Sequence, residues 1–227
     1  MRVFAISDLH LSGAVSKPMS IFGSCWEDHW GKIQADWTAS VSNEDIVLIS
    51  GDISWAMTLD EAGVDLKAIC ELPGRKIFIR GNHDYWWSSI SKVRGILPDT
   101  AYAIQNDSVL LNGWAFCGTR GWPPPGSRDF DEHDQKIYSR ELQRLKLSLD
   151  SIREMENIIV LLHYPPFDDK GRETPITELL AAYKPRHVVF GHLHGESVKS
   201  AVEGEFNGIS YHLTSCDYLN FKLKQIL

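Results

Sequence analysis

Lys76-Ile77-Phe78-Ile79-Arg80-Gly81-Asn82-His83-Asp84 is the stretch on which the reading of this chain turns. Its apolar first half reads as a short buried strand. Gly81-Asn82 is a turn-forming pair, so an amide, an imidazole and a carboxylate follow one another at a strand end. By itself Gly-Asn-His-Asp is a weak signal, because Gly-Asn pairs are common in turns. It gains weight because four other clusters rich in His and Asp also follow apolar runs. These are Asp8-Leu9-His10 after 2–6, Gly51-Asp52 after 46–49, His163 after 158–162, and Gly191-His192-Leu193-His194 after 188–190.

Working outward from these runs, the segments between them carry helical periodicity. Trp26, Trp30, Ile33 and Trp37 recur at spacings of 4, 3 and 4. They predict a helix within 17–42 whose aromatic face packs in the core rather than serving as a base-stacking platform. Leu59, Ala62, Leu66 and Ile69 predict a helix over 59–72 that stops at Pro73-Gly74. A further helix is expected over 85–97. Tyr138, Leu142, Leu145, Leu149 and Ile152 mark a long amphipathic helix with Asp134 as its cap, and 177–183 a short one. The runs 101–104, 109–111 and 114–117, parted by Asn-Asp-Ser and Asn-Gly, predict hairpins. Strands are expected over 197–202, 209–214 and 221–226. This order predicts an α/β fold in which a partly antiparallel sheet packs on a mostly parallel one, with helices outside and a single domain over 1–227.

Composition narrows the class. At 43% hydrophobic and 23% charged residues the chain reads as an ordered globular protein. No apolar segment approaches the roughly 18 residues of a membrane span, and 3–6 is too short for a secretory signal, so a cytoplasmic location is expected. Cys25, Cys70, Cys117 and Cys216 are scattered without a Cys-x-x-Cys pair, which predicts free, mostly buried thiols and no zinc knuckle or disulfide framework. A net charge of −7 without a Lys/Arg block argues against stable nucleic-acid or anionic-membrane binding. A small anionic substrate remains compatible if cations sit among the His and Asp clusters.

In open α/β sheets the loops beyond the carboxyl ends of the strands converge on one crevice. Asp8, His10, Asp52, Asn82, His163, His192 and His194 are therefore expected to meet. A nitrogen and oxygen donor set without thiolate suits manganese, iron, zinc or nickel. Seven ligands exceed the three or four of a single catalytic site of the zinc type, so two divalent ions sharing a carboxylate are expected, with Asp52 the natural bridge. Residues two apart, as in Asp8/His10 and His192/His194, project to the same side of an extended chain.

Taken in order and at strand ends, the five clusters resemble the calcineurin-like metallophosphoesterase superfamily over Asp8 to His194. That resemblance implies a four-layer α-β-β-α sandwich of two packed mixed sheets flanked by helices. By position in the motifs it assigns Asp8, His10, Asp52 and His194 to a first metal, and Asp52, Asn82, His163 and His192 to a second. No ligand position is missing, unlike relatives that keep the fold only as a binding scaffold. The resemblance gives His83 the role of protonating the leaving oxygen, with Asp84 orienting its ring by a hydrogen bond. The expected function is hydrolysis of a small anionic phosphomonoester or phosphodiester by hydroxide bridging two ions, manganese first, about 3.5–4 Å apart. A nucleotide- or lipid-linked pyrophosphatase is the alternative enzyme, since Ser7 to Leu11 looks like the start of the bacterial UDP-diacylglucosamine pyrophosphatases. Those enzymes carry Arg where this chain has His83. A non-catalytic scaffold is the alternative from another class, and a DNA nuclease is disfavoured by the acidity of the chain.

The remaining histidines are expected to be structural (His187, His212), solvated (His29), or part of a charged loop (His133). Substrate contacts are expected from the loops 119–133 and 167–174, through Arg120 first, then Arg128, Lys170 and Arg172. The loop 11–26 is the third segment expected to set specificity.

Overall fold

The computed structural model describes every residue of 1–227 except Arg128 and Arg153. All four residues of β1 (Val3–Ile6) are buried because its two faces serve different cores. Val3 and Ala5 pack between the sheets, while Phe4 and Ile6 pack against helices. The same division holds in β2 (Ile46–Ile49), with Ile46 and Leu48 facing one way and Val47 and Ile49 the other, as the two-residue strand period requires. β3 (Arg75–Phe78) and β4 (Ala101–Ala103) continue this sheet in parallel, and β11 (Lys224–Gln225) pairs antiparallel with β1. The order is β11-β1-β2-β3-β4.

The second sheet runs β5 (Ser108–Leu111), β6 (Trp114–Thr119), β7 (Ile158–Leu162), β8 (His187–Phe190), β10 (Ile209–Leu213) and β9 (Gly204–Phe206). Its four inner strands are parallel and its two edges antiparallel. Phe116, Ile159, Leu161 and Val189 meet the first sheet's inner face. The helices α1 (His29–Ser40), α2 (Leu59–Cys70) and α3 (Ile90–Ile96) cover the first sheet through Ile33, Trp37, Leu66, Ile69 and Val93. α4 (Glu132–Asp150) and α5 (Pro175–Tyr183) cover the second through Tyr138, Leu145, Leu149 and Leu180. Two mixed sheets thus pack face to face between helical layers. At one end they are joined by a parallel bridge of Ser7 and Ser215, which makes β1 and β10 run the same way.

Several local expectations are corrected. The helix expected within 17–42 begins only at His29; Pro18 and Gly23, with φ 137°, confine the preceding chain to two short 3-10 turns, Met19–Phe22 and Ser24–Trp26. Helix over 85–97 shrinks to α3, because the preceding indoles are engaged in the turn: Trp86 Nε1 donates to Asp84 and Trp87 Nε1 to Gln105. The run at 101–104 is no hairpin arm but adds to β3 in the other sheet. Asp131, not Asp134, caps α4, accepting from the His133 and Asp134 amides. Residues 197–202 fall largely in the 3-10 turn Gly195–Ser200, and 221–226 contribute only β11. Of the thiols only Cys117 and Cys216 are buried. Among the described residues no helix is long and apolar enough to cross a membrane.

Candidate metal centre

Because the inner strands of both sheets run the same way, their carboxyl ends open on one edge. Ser7 to His10 leave β1 there, Ser50 to Asp52 leave β2, Arg80 to Asp84 follow β3, His163 follows β7, and Gly191 to His194 follow β8. The structure brings all seven expected ligands together. Asp8, His10 and His194 offer donor atoms within 4.8 Å of one another, and so do Asp8, Asp52 and His163. Asp52 lies between two imidazoles, with Oδ2 3.7 Å from His10 Nε2 and Oδ1 3.6 Å from His163 Nε2. The Asn82 amide oxygen sits 2.6 Å from His163 Nε2 and 3.0 Å from His192 Nδ1.

The backbone is bent hard to achieve this. Asp8, His10, Asp52 and His192 hold φ of 59°, 46°, 51° and 72°, a left-handed region that non-glycine residues enter at a cost. The motif glycines answer a different need, that of close approach. A Cβ on Gly81 would lie 2.1 Å from Asp52 Oδ1, and one on Gly191 would lie 2.5 Å from Asp8 Oδ2.

Burial sets the protonation states. It pulls His10 to about 3, His163 to about 4 and His192 to about 3, so these rings stay neutral with a lone pair to offer. Burial also acts on Asp8, but His194, His163 and His10 outweigh it and hold that carboxyl below the usual range. Asp52 is pushed up, by burial first and then by Asp84 and Asp8. His194 resists burial through its hydrogen bonds to Asp217 and Asp8, which raise it to about 10.

The donors fit divalent cations. His10 Nδ1 is buried and has no hydrogen-bond partner among the described residues. His163 Nδ1 lies 2.9 Å from the Ser50 carbonyl, which can only accept; the neutral ring therefore carries its proton there, and bare Nε2 faces the Asn82 oxygen. Two lone pairs aimed at each other are repulsive until a cation is placed between them. His194 stands between two carboxylates, with Nδ1 2.8 Å from Asp217 Oδ1 and Nε2 3.5 Å from Asp8 Oδ1. A carboxylate behind an imidazole fixes the ring and raises its basicity toward a metal. Sequence reasoning missed Asp217, which follows β10, a strand where Ser210 and His212 alternate with apolar residues in place of the continuous apolar runs that precede the other clusters.

A cavity of about 460 Å³ opens beside the cluster, lined by His10, Met19, Trp26, Trp55, His83 and His194 among others. A larger one of about 740 Å³ lies between α2 and α3, away from the ligands. His83 is half-buried in the first cavity, 4.8 Å from the Trp55 ring, and burial and Lys17 lower its pKa. Trp55 is clamped between His10, stacked at 4.6 Å, and Lys17, 3.1 Å above the ring.

Asp84 does not bond the His83 imidazole. Its Oδ1 accepts from the amides of Ile53 and Ser54 and from Trp86 Nε1, and its Oδ2 from the Gly81 amide. It ties the β2 loop to the β3 loop, and these four donors use the capacity that the expected contact needed. His29 is not solvated; its Nε2 lies 2.9 Å from the Leu9 carbonyl and its ring packs on Trp26. His187 and His212 bond each other at 3.1 Å. Arg120 stands at the same edge. Lys170 and Arg172 are exposed, and Arg172 pairs with Asp168 at 2.6 Å. Arg128 lies outside the described residues.

Residues 1–196 match the calcineurin-like phosphoesterase family. The chain belongs to that family. Its fold is similar to that of a Thermus thermophilus protein, at TM-score 0.61 and 13% identity over 99% of this chain and 97% of the other. It is also similar to an Aquifex aeolicus protein of unknown function, at TM-score 0.51 and 14% identity over 99% and 95%. No match is found among the curated proteins. Family membership and the ligand groups together support a phosphoesterase with a candidate site for divalent metal.

Proposed function

We propose that the chain is a single-domain, dinuclear, metal-dependent phosphoesterase acting in the cytoplasm on a small anionic phosphomonoester or phosphodiester. One observation carries this reading. Asp52 turns one oxygen toward His10 and the other toward His163, the arrangement of a carboxylate shared by two ions. Asp8, His10, Asp52 and His194 would hold one ion, and Asp52, Asn82, His163 and His192 the other, with manganese the first candidate and iron, zinc or nickel the alternatives. When bound, the pair supplies an activated water and neutralises charge on the phosphoryl oxygens.

The chain's own residues do the rest. Trp55, pinned by Lys17, closes one wall and shields His10 from water. The His83 ring projects into the cavity and makes no hydrogen bond among the described residues, which leaves a ring N–H to donate to the leaving oxygen. Asp84 holds the turn on which His83 rides. The test is hydrolysis of p-nitrophenyl phosphate and bis-p-nitrophenyl phosphate by metal-stripped protein with manganese restored. Metal-dependent turnover is expected, and the preferred ester separates monoesterase from diesterase. Failure to bind metal would move a scaffold role to the front.

A further inference from the structure

The cavity beside the cluster has two unlike walls. One is the ligand cluster itself, which presents His10, Asp52 and His194. The other comes from the 3-10 turns of 19–26 and from Trp55, and it is apolar: Met19, Phe22, Trp26 and Trp55 line it beside the His83 ring. A 3-10 turn has three residues per turn, so Met19 and Phe22, at the two ends of Met19–Phe22, fall on one face and Ile21 does not. Ile21 is accordingly 69% exposed and takes no part in the lining.

Three of the four apolar side chains are fixed from behind. Trp55 Nε1 donates to Met19 Sδ at 3.2 Å, the Trp55 ring stacks on His10, and Trp26 meets Phe221 edge-on at 5.2 Å. These three are more than nine-tenths buried. Phe22 differs: it stacks on no ring among the described residues and is 59% exposed at the same cavity. Apolar surface left open on a cleft marks a contact still to be made. Charge points the same way. Among the described residues no lysine or arginine lines the cavity. Lys17 is near enough to act on His83, but its ammonium is laid over the Trp55 ring, 3.1 Å from the centroid. The groups able to answer an anion therefore sit in the ligand cluster, where the phosphoryl group under attack belongs, and a leaving group with charge of its own meets only an apolar wall.

We propose that Met19, Phe22, Trp26 and Trp55 form the leaving-group subsite, and that the substrate is a phosphoric ester of an uncharged apolar alcohol, alkyl or aryl. The His83 ring lies 4.8 Å from that of Trp55, so a leaving oxygen within reach of His83 delivers its carbon against this wall. A volume of about 460 Å³ falls in the range of small-ligand sites. Each buried methylene is worth roughly fourfold in affinity, so two suffice for a tenfold preference. This deepens the phosphoesterase reading and rests on it for the ester, although holding the apolar group requires no turnover.

The experiment is isothermal titration of the full-length protein, supplied with manganese, with hexylphosphonate, phenylethylphosphonate and hydroxyethylphosphonate, for wild type, Phe22→Ser, Phe22→Leu and the neighbouring control Ile21→Ser. Thermal melting checks that each variant is folded. Wild type and Ile21→Ser should bind the two apolar phosphonates about tenfold more tightly than the hydroxyethyl one. Phe22→Ser should lose most of that preference, and Phe22→Leu should keep it. The tighter of the two apolar phosphonates separates an alkyl from an aryl alcohol. The corresponding phosphate esters, all of primary alcohols, should follow the same order in kcat/KM. No apolar preference in wild type, or one that Phe22→Ser leaves intact or that Ile21→Ser removes equally, would overturn the subsite. Apolar preference lost in Phe22→Ser, without manganese-dependent turnover of any phosphate monoester or diester, would uphold it while sinking the phosphoesterase reading.

Discussion

The two sheets bring different chemistry to the edge they share. The first contributes oxygen donors, Asp8, Asp52 and Asn82, with a single ring, His10. The second contributes imidazoles, His163, His192 and His194, with Asp217 behind the last. Backbone strain divides the same way: Asp8, His10 and Asp52 hold positive φ on the first sheet's loops, and His192 alone of these ligands does so on the second's. The first half alone would be an acidic cluster that repels itself, and the second a set of buried neutral rings. The site is therefore a property of the packing between Val3, Ala5 and Leu48 on one side and Ile159, Leu161 and Val189 on the other.

The hardest blow to this arrangement is Asp52→Asn, which alters a carboxylate that turns one oxygen to His10 on the first sheet's side and the other to His163 on the second's. Manganese-dependent turnover of either p-nitrophenyl ester should fall to background. His83→Ala should lower kcat/KM by about 10²–10⁴-fold while metal content, read by elemental analysis, stays at the wild-type level. Loss of metal along with His83 would refute that division of labour. Asp217→Asn acts only through His194 and should weaken metal binding about 10–100-fold in titration calorimetry.

Two core truncations sharpen the comparison further. Leu161→Ala, between the sheets, and Leu145→Ala, between sheet and helix, should each cost about 2–5 kcal/mol in urea unfolding. Only the first should also weaken manganese binding, and equal weakening by both would refute a site set by sheet-to-sheet packing. The smallest effect is on pH. His194 is raised to about 10 in the metal-free protein, so it is protonated at neutrality and must release that proton to bind a cation. Manganese affinity should climb as pH rises from 6.5 toward 10, with proton release visible as a buffer-dependent binding heat. The sign is opposite for the metal-free fold: stabilisation from His194 is complete below about 6.5 and is lost as pH rises through about 10.

What could be read from the sequence was governed by period and adjacency. Buried parallel strands are apolar on both faces, so 2–6, 46–49 and 158–162 announced themselves, and the polar residue after each was a ligand candidate at once. The convergence of the seven ligands followed from that rule, whereas the four-layer architecture came from the resemblance of the motifs to a known family. Asp84 was misread because its four partners, Ile53, Ser54, Gly81 and Trp86, come from two loops whose contact no spacing reveals. Asp217 was missed because no continuous apolar run announces it and the ring it binds, that of His194, lies 23 positions away. The 3-10 turns of 19–26 have no period of their own, and Trp26 completed a helical stripe that the backbone does not follow. Arg120 was legible as a cation near the edge, whereas its burial against Glu141 depended on where α4 docks.

The link between Asp8 and the amide of His192 spans 184 positions, and that between Ser7 and Thr214 spans 207. At about 5–20 residues per second, roughly 10–40 s of synthesis separate Asp8 from His192 on the ribosome. For that interval the chain holds its acids without most of its imidazoles. The full set of donors for a cation therefore exists only once β8 and the loop after it have been made.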